Sequence, residues 1–242
     1  VTKPGVFLSV IFPAHNEADR LPRALEQTIT YLEGQSYLWE ILVVENGSRD
    51  ATFEIASSFA AHYPTVRVLR EHLPGKGRAV RAGVLAARGD WRFICDVDLS
   101  MPVTEINRFL PPNVQADIVI ASREGKNARR FNEPAYRHLI GRIFNLIVRI
   151  LALPGLHDSQ CGFKCFSAGT ASQLFPLQTI NGWTFDVELL YIARLRGFRV
   201  VELGIPWYHD PHSKVKVLCD SARMMLDLFK IRWNHLRGKY AP

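Results

Sequence analysis

Two carboxylates on alternate residues, Asp96 and Asp98, close the apolar run from Trp91 to Cys95. A short apolar run bounded by polar residues reads as a buried strand, so the pair falls where a strand hands over to a loop. Open α/β sheets bind ligands at the carboxyl ends of their strands. Two hard oxygen ligands there suit a Mg²⁺ or Mn²⁺ shared with a diphosphate, because Mg²⁺ takes one or two protein carboxylates and completes its shell from phosphate and water. A solvated turn carries the same residues. The Asp-x-Asp by itself does not separate the two.

Three other segments in the same half have comparable chemistry. Val6 to Phe12 runs into Pro13-Ala14-His15-Asn16-Glu17, a rigid turn followed by an acid suited to a ribose hydroxyl. Glu40 to Val44 runs into Glu45-Asn46-Gly47-Ser48, an acid and an amide able to meet the hydrogen-bonding edge of a base. Lys76, between Gly75 and Gly77, sets a cation beside backbone free to approach an anion, just before a helix N-terminus. It is not a Walker A loop, lacking the upstream glycine and the Ser or Thr after the lysine, and the dinucleotide glycine fingerprint is missing too. Each segment alone is equally well a cap or a turn. All four in succession are a much rarer coincidence.

The elements that must position these groups follow from periodicity. Val6–Phe12, Glu40–Val44, Val66–Arg70, Trp91–Cys95 and Ile118–Ala121 are expected strands; Glu17–Leu32, Asp50–His62 and Gly77–Ala87 carry apolar residues at helical spacing. This alternation predicts a mostly parallel sheet flanked by helices, with Ser48-Arg49-Asp50 capping the second helix. Beyond residue 122 the alternation breaks down. The basic stretch Glu124–Glu133 reads as a mobile loop, and Tyr136–Leu151 as an amphipathic helix. Leu139, Ile143, Leu146, Ile147 and Ile150 fall on one face of that helix, while Ile140, Phe144, Val148 and Leu151 widen it. Such width fits an interfacial membrane helix and a helix buried between two layers alike.

The 242 residues suit one domain, with 30 Lys and Arg against 23 Asp and Glu giving a net charge of +7. That excess favours an anionic partner: a nucleotide or phosphate substrate, an acidic membrane surface or nucleic acid. Nucleic acid is disfavoured because the basic residues cluster in one loop and one apolar helix without an aromatic stacking platform. Cys95, Cys161, Cys165 and Cys219 lack paired spacing and read as free thiols of a reducing compartment, and His209 and His212 as a solvated loop. No stretch approaches the roughly 18 apolar residues of a membrane span, and no signal-peptide pattern opens the chain. A soluble or peripheral protein is expected.

The ordered segments Phe12-Pro13-Ala14-His15-Asn16-Glu17, Val44-Glu45-Asn46-Gly47-Ser48-Arg49-Asp50, Gly75-Lys76-Gly77 and Asp96-Val97-Asp98 resemble those of inverting family-two glycosyltransferases of GT-A (Rossmann-like) fold. Asp158-Ser159-Gln160-Cys161-Gly162-Phe163-Lys164 and Trp183-Thr184-Phe185-Asp186-Val187-Glu188-Leu189-Leu190 look like the dolichyl-phosphate glucosyltransferase and polyprenyl-phosphate sugar synthase branch. The resemblance covers nearly the whole chain. It implies one domain over 1–242, with a nucleotide-sugar half at 1–122 and an acceptor half at 123–242 ending in amphipathic helices.

The same resemblance implies that Pro13, Ala14, Glu17 and Glu45 contact the donor nucleoside, with Lys76 near the same pocket. Asp96 and Asp98 would hold Mg²⁺ or Mn²⁺ on the diphosphate, Arg123 and Arg137 the acceptor phosphate, and Arg129 and Arg130 a loop that closes over the donor. Asp158, Gln160, Lys164 and Trp183 would shape the sugar and acceptor pocket, with Asp186 a catalytic or sugar-binding acid. Two departures stand out: Glu45-Asn46 where relatives commonly have Asp-Asp, and Ser100 where the mannosyl branch often has Gln. The implied activity is transfer of a hexose, glucose first, from a UDP-linked donor to a polyprenyl phosphate on the cytoplasmic face of a membrane. One alternative is a hydroxyl acceptor with Asp186 or Asp158 as base. Another is a nucleotide-sugar-binding protein without catalysis.

Overall fold

Along β1 (Leu8–Ala14) successive side chains part to opposite faces: Val10 and Phe12 enter one apolar layer, Ile11 the other. The same parting recurs along β2 (Trp39–Glu45), where Ile41 and Val43 oppose Leu42 and Val44. Strands buried on both faces favour apolar residues at nearly every position, which is why the N-terminal runs read as continuous rather than alternating; the buried exceptions, Ser9 and Glu40, bond to each other. The structure, a computed structural model, describes residues 5–211 and 217–241, the side chains of 217–220 excepted. His212 and the Cys219 side chain therefore lie outside the described residues; Cys95, Cys161 and Cys165 are buried free thiols.

The first half alternates as expected: α1 (Leu21–Glu33), α2 (Thr52–His62), β3 (Val66–Arg70), α3 (Lys76–Ala86), β4 (Trp91–Ile94) and β5 (Ile118–Ser122) follow in turn, with a 3₁₀ helix at Val103–Phe109. Helix α1 starts later than residue 17 because Glu17 and Ala18 belong to a turn, their amides donating to Thr52 Oγ1 and Asp50 Oδ2. Asp50 also accepts from the Thr52 amide and so ties the β1 turn to the start of α2, although the capping position itself is Ala51, which makes no side-chain cap bond.

After residue 122 come β6 (Arg129–Phe131), α4 (Ala135–Leu151), β7 (Lys164–Ser167), α5 (Ala168–Leu174), α6 (Phe185–Leu195), β8 (Val200–Gly204), β9 (Pro206–Tyr208) and α7 (Val217–Leu236). Among the described residues seven strands form one sheet in the order β3-β2-β1-β4-β7-β5-β8, and β6 pairs with β9 beside it. All neighbours in the large sheet run parallel except β7, which is antiparallel to both β4 and β5. The carboxyl ends of β1, β2, β4 and β5 therefore share one edge. Lys164, at the start of the reversed strand, meets Ile94 and Ile120 there.

The expected mobile loop is corrected by this pairing. Arg130 is held by ion pairs to Glu124 and Glu133, and Arg129-Arg130-Phe131 lies in register with Pro206-Trp207-Tyr208.

Helix α4 carries two apolar faces, one buried and one exposed. Phe144 and Val148 are buried in the core, with Ile147 and Leu151 packed against it. Tyr136, Leu139, Ile143, Leu146 and Ile150 form an outward stripe, each more than half exposed (63%, 61%, 53%, 53% and 72%). Helix α7, in contact with α4, repeats the pattern with Leu226, Phe229, Trp233 and Leu236 exposed. Spacings of three and four place each set on one helix face. Among the described residues no helix is long and apolar enough to cross a membrane.

Candidate active site

The shared strand edge opens into a cavity of about 820 Å³. Of the expected site residues, Pro13, Ala14, Glu17, Lys76, Asp96, Asp98, Arg123, Arg130, Arg137, Gln160, Trp183 and Asp186 line it. Asp96 leaves β4 with its carboxylate 2.6 Å from Lys76 Nζ. It backs onto Gly162, where an added Cβ would stand 2.3 Å from Asp96 Oδ2, so the Cys161-Gly162-Phe163 turn needs glycine to let the acid in. Asp98 accepts from the Ser100 amide at 2.9 Å across a tight turn in which Leu99 takes a left-handed φ of 46°. Such backbone is costly for a bulky residue and marks a turn fixed by its surroundings.

Burial and the neighbouring Asp96 charge both raise the Asp98 pKa, outweighing Ser100 and Lys76, which lower it. Lys76 keeps its charge: burial would lower its pKa, but Asp96, Asp186 and Asp98 raise it further. Asp186 sits in the first turn of α6, a helix buried on nearly every side. Burial raises its pKa against the pull of Lys164 and Lys76, and Lys164 Nζ lies 3.1 Å from its carboxylate. The result is a row of alternating charge along the cavity floor, with the two carboxylates of Asp96 and Asp98 side by side at one end. Among the described residues no group of three or more His, Cys, Asp or Glu is set to hold a metal alone. Two adjacent carboxylates, one of them disfavoured in its charged form, fit a divalent cation whose remaining ligands come from a diphosphate.

Three expected site residues lie beneath the cavity wall instead of in it. Glu45 is buried, accepting from the Ser48 amide and from Arg70 Nε at 3.2 Å, while Asn46 bonds to Glu71 O, Leu73 O and the Gly75 amide. The pair shapes the turn that was expected to read a base. Lys164, 2% exposed, is spent on Asp186 and the Cys161 carbonyl. Asp158 is fully buried and takes both Arg123 Nε and Nη2, at 2.7 and 2.9 Å, as well as the Arg123 amide. Burial raises its pKa, but Arg123 outweighs that and brings it down to about 2. A carboxylate so held is no general base, which removes Asp158 from that role.

Breaking this buried pair has a readable cost. Asp158→Ala is expected to destabilise the fold by about 3–5 kcal/mol at neutral pH, since it strands the Arg123 guanidinium. The pair's contribution is fully present above the ordinary value of 3.8 and is lost as pH falls through about 2. Urea unfolding of both proteins at pH 7 and pH 3 checks this: the variant should lose less on acidification. A loss under about 1 kcal/mol at pH 7 would instead mark a solvated bridge.

Trp207 is not among the expected site residues and His209 is expected in a solvated loop, yet both stand in the cavity wall. Arg123 and Arg130 lie over the Trp207 ring at 5.4 and 5.8 Å, and the Tyr208 amide bonds to Ser100 O, which brings His209 to the mouth of the Asp-x-Asp turn. Their only sequence signal is an aromatic and a histidine near a proline. On the other side Ile140 and Phe144 of α4 and Met224 of α7 line the cavity, which thus reaches the gap between the two helices.

The family model described as Glycosyl transferase family 2 matches residues 9–175. The chain belongs to that family. It is 35% identical over 242 residues to a dolichyl-phosphate beta-glucosyltransferase of Trichomonas vaginalis, covering 95% of this chain and 74% of that one. The dolichyl-phosphate beta-glucosyltransferase of Homo sapiens is 32% identical, over 98% of this chain and 78% of its own. Glucosyl-3-phosphoglycerate synthase from Mycobacterium tuberculosis in complex with uridine diphosphate superposes with a TM-score of 0.69 at 19% identity, over 93% of this chain and 80% of that one. A crystal structure of the same synthase holding Mn²⁺, UDP-glucose and phosphoglyceric acid gives 0.68 at 19% identity, over 93% and 79%. These likenesses bear out the expected family and the mostly parallel, helix-flanked fold.

Proposed function

We propose that this glycosyltransferase moves glucose from UDP-glucose to a dolichyl or related polyprenyl phosphate, as a peripheral enzyme on the cytoplasmic face of a membrane. The observation that carries this reading is the polarity of one cavity. Its floor holds Lys76, Asp96 and Asp98, its wall holds Arg123 and Arg137, and it opens between two helices whose outer faces are apolar. Relatives named for the same activity, matched over nearly the whole chain, support it.

In this reading Asp98 and Asp96 would hold Mg²⁺ or Mn²⁺, which when bound would supply Lewis-acid stabilisation of a departing diphosphate. Lys76, fixed by Asp96 and lying 5.3 Å from the Trp183 ring centroid, adds positive charge beside the same leaving group. Transfer forms a bond from an acceptor phosphate oxygen to the anomeric carbon as the bond from that carbon to the diphosphate oxygen breaks. A phosphate oxygen is already anionic at neutral pH, so the step calls for placement rather than a strong base. Arg137, at the start of α4, and Arg123, locked by Asp158, provide cations for that placement. The prenyl chain would leave past Ile140, Phe144 and Met224 towards the bilayer. Asp186 lines the cavity with a raised pKa, as a base for a hydroxyl acceptor would. That keeps the second reading testable.

The test offers a panel of nucleotide sugars with Mg²⁺ or Mn²⁺ and either a short polyprenyl phosphate or the matching alcohol, and weighs the lipid product. The expected product is a glucosyl lipid phosphate from UDP-glucose, and transfer to the alcohol alone would overturn the reading. Arg137→Ala is expected to raise the acceptor KM about tenfold or more, the effect of one charge-assisted contact, while calorimetry finds UDP affinity within about twofold. Arg123→Ala is a poorer probe because it leaves Asp158 buried and unpaired.

A further inference from the structure

Glu188 is fully buried in the first turn of α6, two residues after Asp186, and the proposed mechanism does not use it. One oxygen accepts from the amides of Thr179 and Ile180, at 2.9 and 2.8 Å. The other accepts from Thr179 Oγ1 at 2.5 Å and from the Tyr240 hydroxyl at 2.6 Å. Asn234, in the last turn of α7, donates to Thr179 Oγ1 at 2.9 Å and to the Tyr240 hydroxyl at 3.4 Å. The carboxylate thus ties the 179–180 loop to Tyr240, just past α7, and Asn234 joins the last turn of α7 to the same cluster.

That loop leads straight into the cavity wall at Asn181, Gly182 and Trp183. It is packed without slack against the start of α3: the Gly77 amide donates to Asn181 O at 2.9 Å, and Gln178 Nε2 donates to both Gly77 O and Ile180 O at 2.8 Å. A Cβ on Gly77 would stand 2.6 Å from Phe185 Cβ and 2.8 Å from Ile180 O, so the two backbones cannot shift independently. Between them lie Lys76 and the Trp183 ring. Buried networks of this kind fix geometry because every lost partner leaves a polar group in low dielectric.

We propose that Glu188 is a positioning residue for the donor site, setting the Lys76 and Trp183 wall through Thr179 and Ile180, and that Tyr240 and Asn234 make this wall depend on how the C-terminal end of α7 is seated. The inference rests on reading the cavity as the donor site. It adds a physical link from the membrane-facing helix to sugar-nucleotide binding, in which α7 set in place favours the ordered wall.

The test compares Tyr240→Phe, Glu188→Ala and Glu188→Gln by thermal melting, UDP calorimetry with Mn²⁺, and separate KM values for donor and acceptor. Tyr240→Phe removes one hydroxyl well away from the cavity. It is expected to weaken UDP binding and raise the donor KM about 3- to 10-fold, the range one hydrogen bond commands, with the acceptor KM unchanged. Glu188→Ala is expected to do the same more strongly, and Glu188→Gln, which keeps an acceptor for the two amides, to recover most of the loss. Unaltered UDP affinity in folded Tyr240→Phe overturns the proposal, whether or not Glu188→Ala folds. Equal rises in donor and acceptor KM overturn it too, marking a general loss of structure. If the unmodified chain binds no UDP, the donor-site reading fails first and the proposal with it.

Discussion

Asp98→Asn is expected to abolish sugar transfer, by a factor of about 10³ or more, in a protein that melts no lower than the unmodified chain. Asparagine keeps the shape of the side chain and its acceptor for the Ser100 amide, so the turn at Leu99 survives. It also relieves the repulsion of two adjacent carboxylates that raises the Asp98 pKa. The substitution removes the charge that a divalent cation would need, and with it the anchor of the donor diphosphate. Three measurements together read the outcome: initial rates, UDP calorimetry in Mn²⁺, and the rise in melting temperature that Mn²⁺ gives. The unmodified chain should gain stability from Mn²⁺ with UDP, as any ligand of the native state confers, and the variant should gain little. Near-normal turnover by folded Asp98→Asn would falsify the assignment of this turn to the donor.

Replacing Ile143 and Leu146 together by Asp is expected to lower vesicle binding about 100-fold or more while leaving the melting temperature within about 2 °C. Each side chain is 53% exposed on the outer face of α4, so little folding energy is lost with it. A large apolar side chain that enters a bilayer contributes about 1.5–3 kcal/mol, which for two residues reaches the expected factor. Phe144→Asp is the contrast, since Phe144 is 8% exposed and belongs to the core, and that protein should unfold. Sedimentation with neutral and anionic vesicles at low and high salt completes the test. Arg142 and Arg149 on α4 and Lys230 on α7 are exposed, so binding should strengthen with anionic lipid and weaken with salt. Unimpaired vesicle binding by the double variant would place the membrane contact elsewhere.

The first five strands were legible in the sequence because β1, β2 and β5 carry nearly unbroken apolar runs and the half-buried β3 and β4 are short, mostly apolar runs that Arg67 and Arg92 interrupt only once inside, and the structure moves their ends by two residues or fewer. The later strands were not. β7 opens on Lys164, which enters the sheet only because Asp186, far along the chain, compensates its charge. β6 and β9 have three residues each, too short for any period to show. In the site, the acids at strand ends were visible as residue types. Which of them face the cavity was not, since Asp96 and Glu45 both follow apolar runs and differ in which partner waits beneath. Arg123 and Asp158 each looked like a group for substrate; that they bind each other follows from the packing of β5 against the loop before β7, which no local pattern encodes. Of the two faces of α4, periodicity showed both as apolar, and only the tertiary contacts tell which one meets water or lipid.

The reversed strand at the centre of the sheet also dictates an order of assembly. β4 and β5 are neighbours in sequence but not in space, and the gap between them is filled by residues 164–167. A chain leaving the ribosome N-terminus first can assemble the run β3-β2-β1-β4, but must then leave one edge of β4 open, with Phe93 behind it, until β7 has emerged. During that interval α4 is already outside, its apolar stripe uncovered. An unpaired strand edge and an uncovered helix face are what nascent chains aggregate through. If α4 rests on a membrane as proposed, synthesis beside that membrane would cover the second of these before the sheet can close over the first.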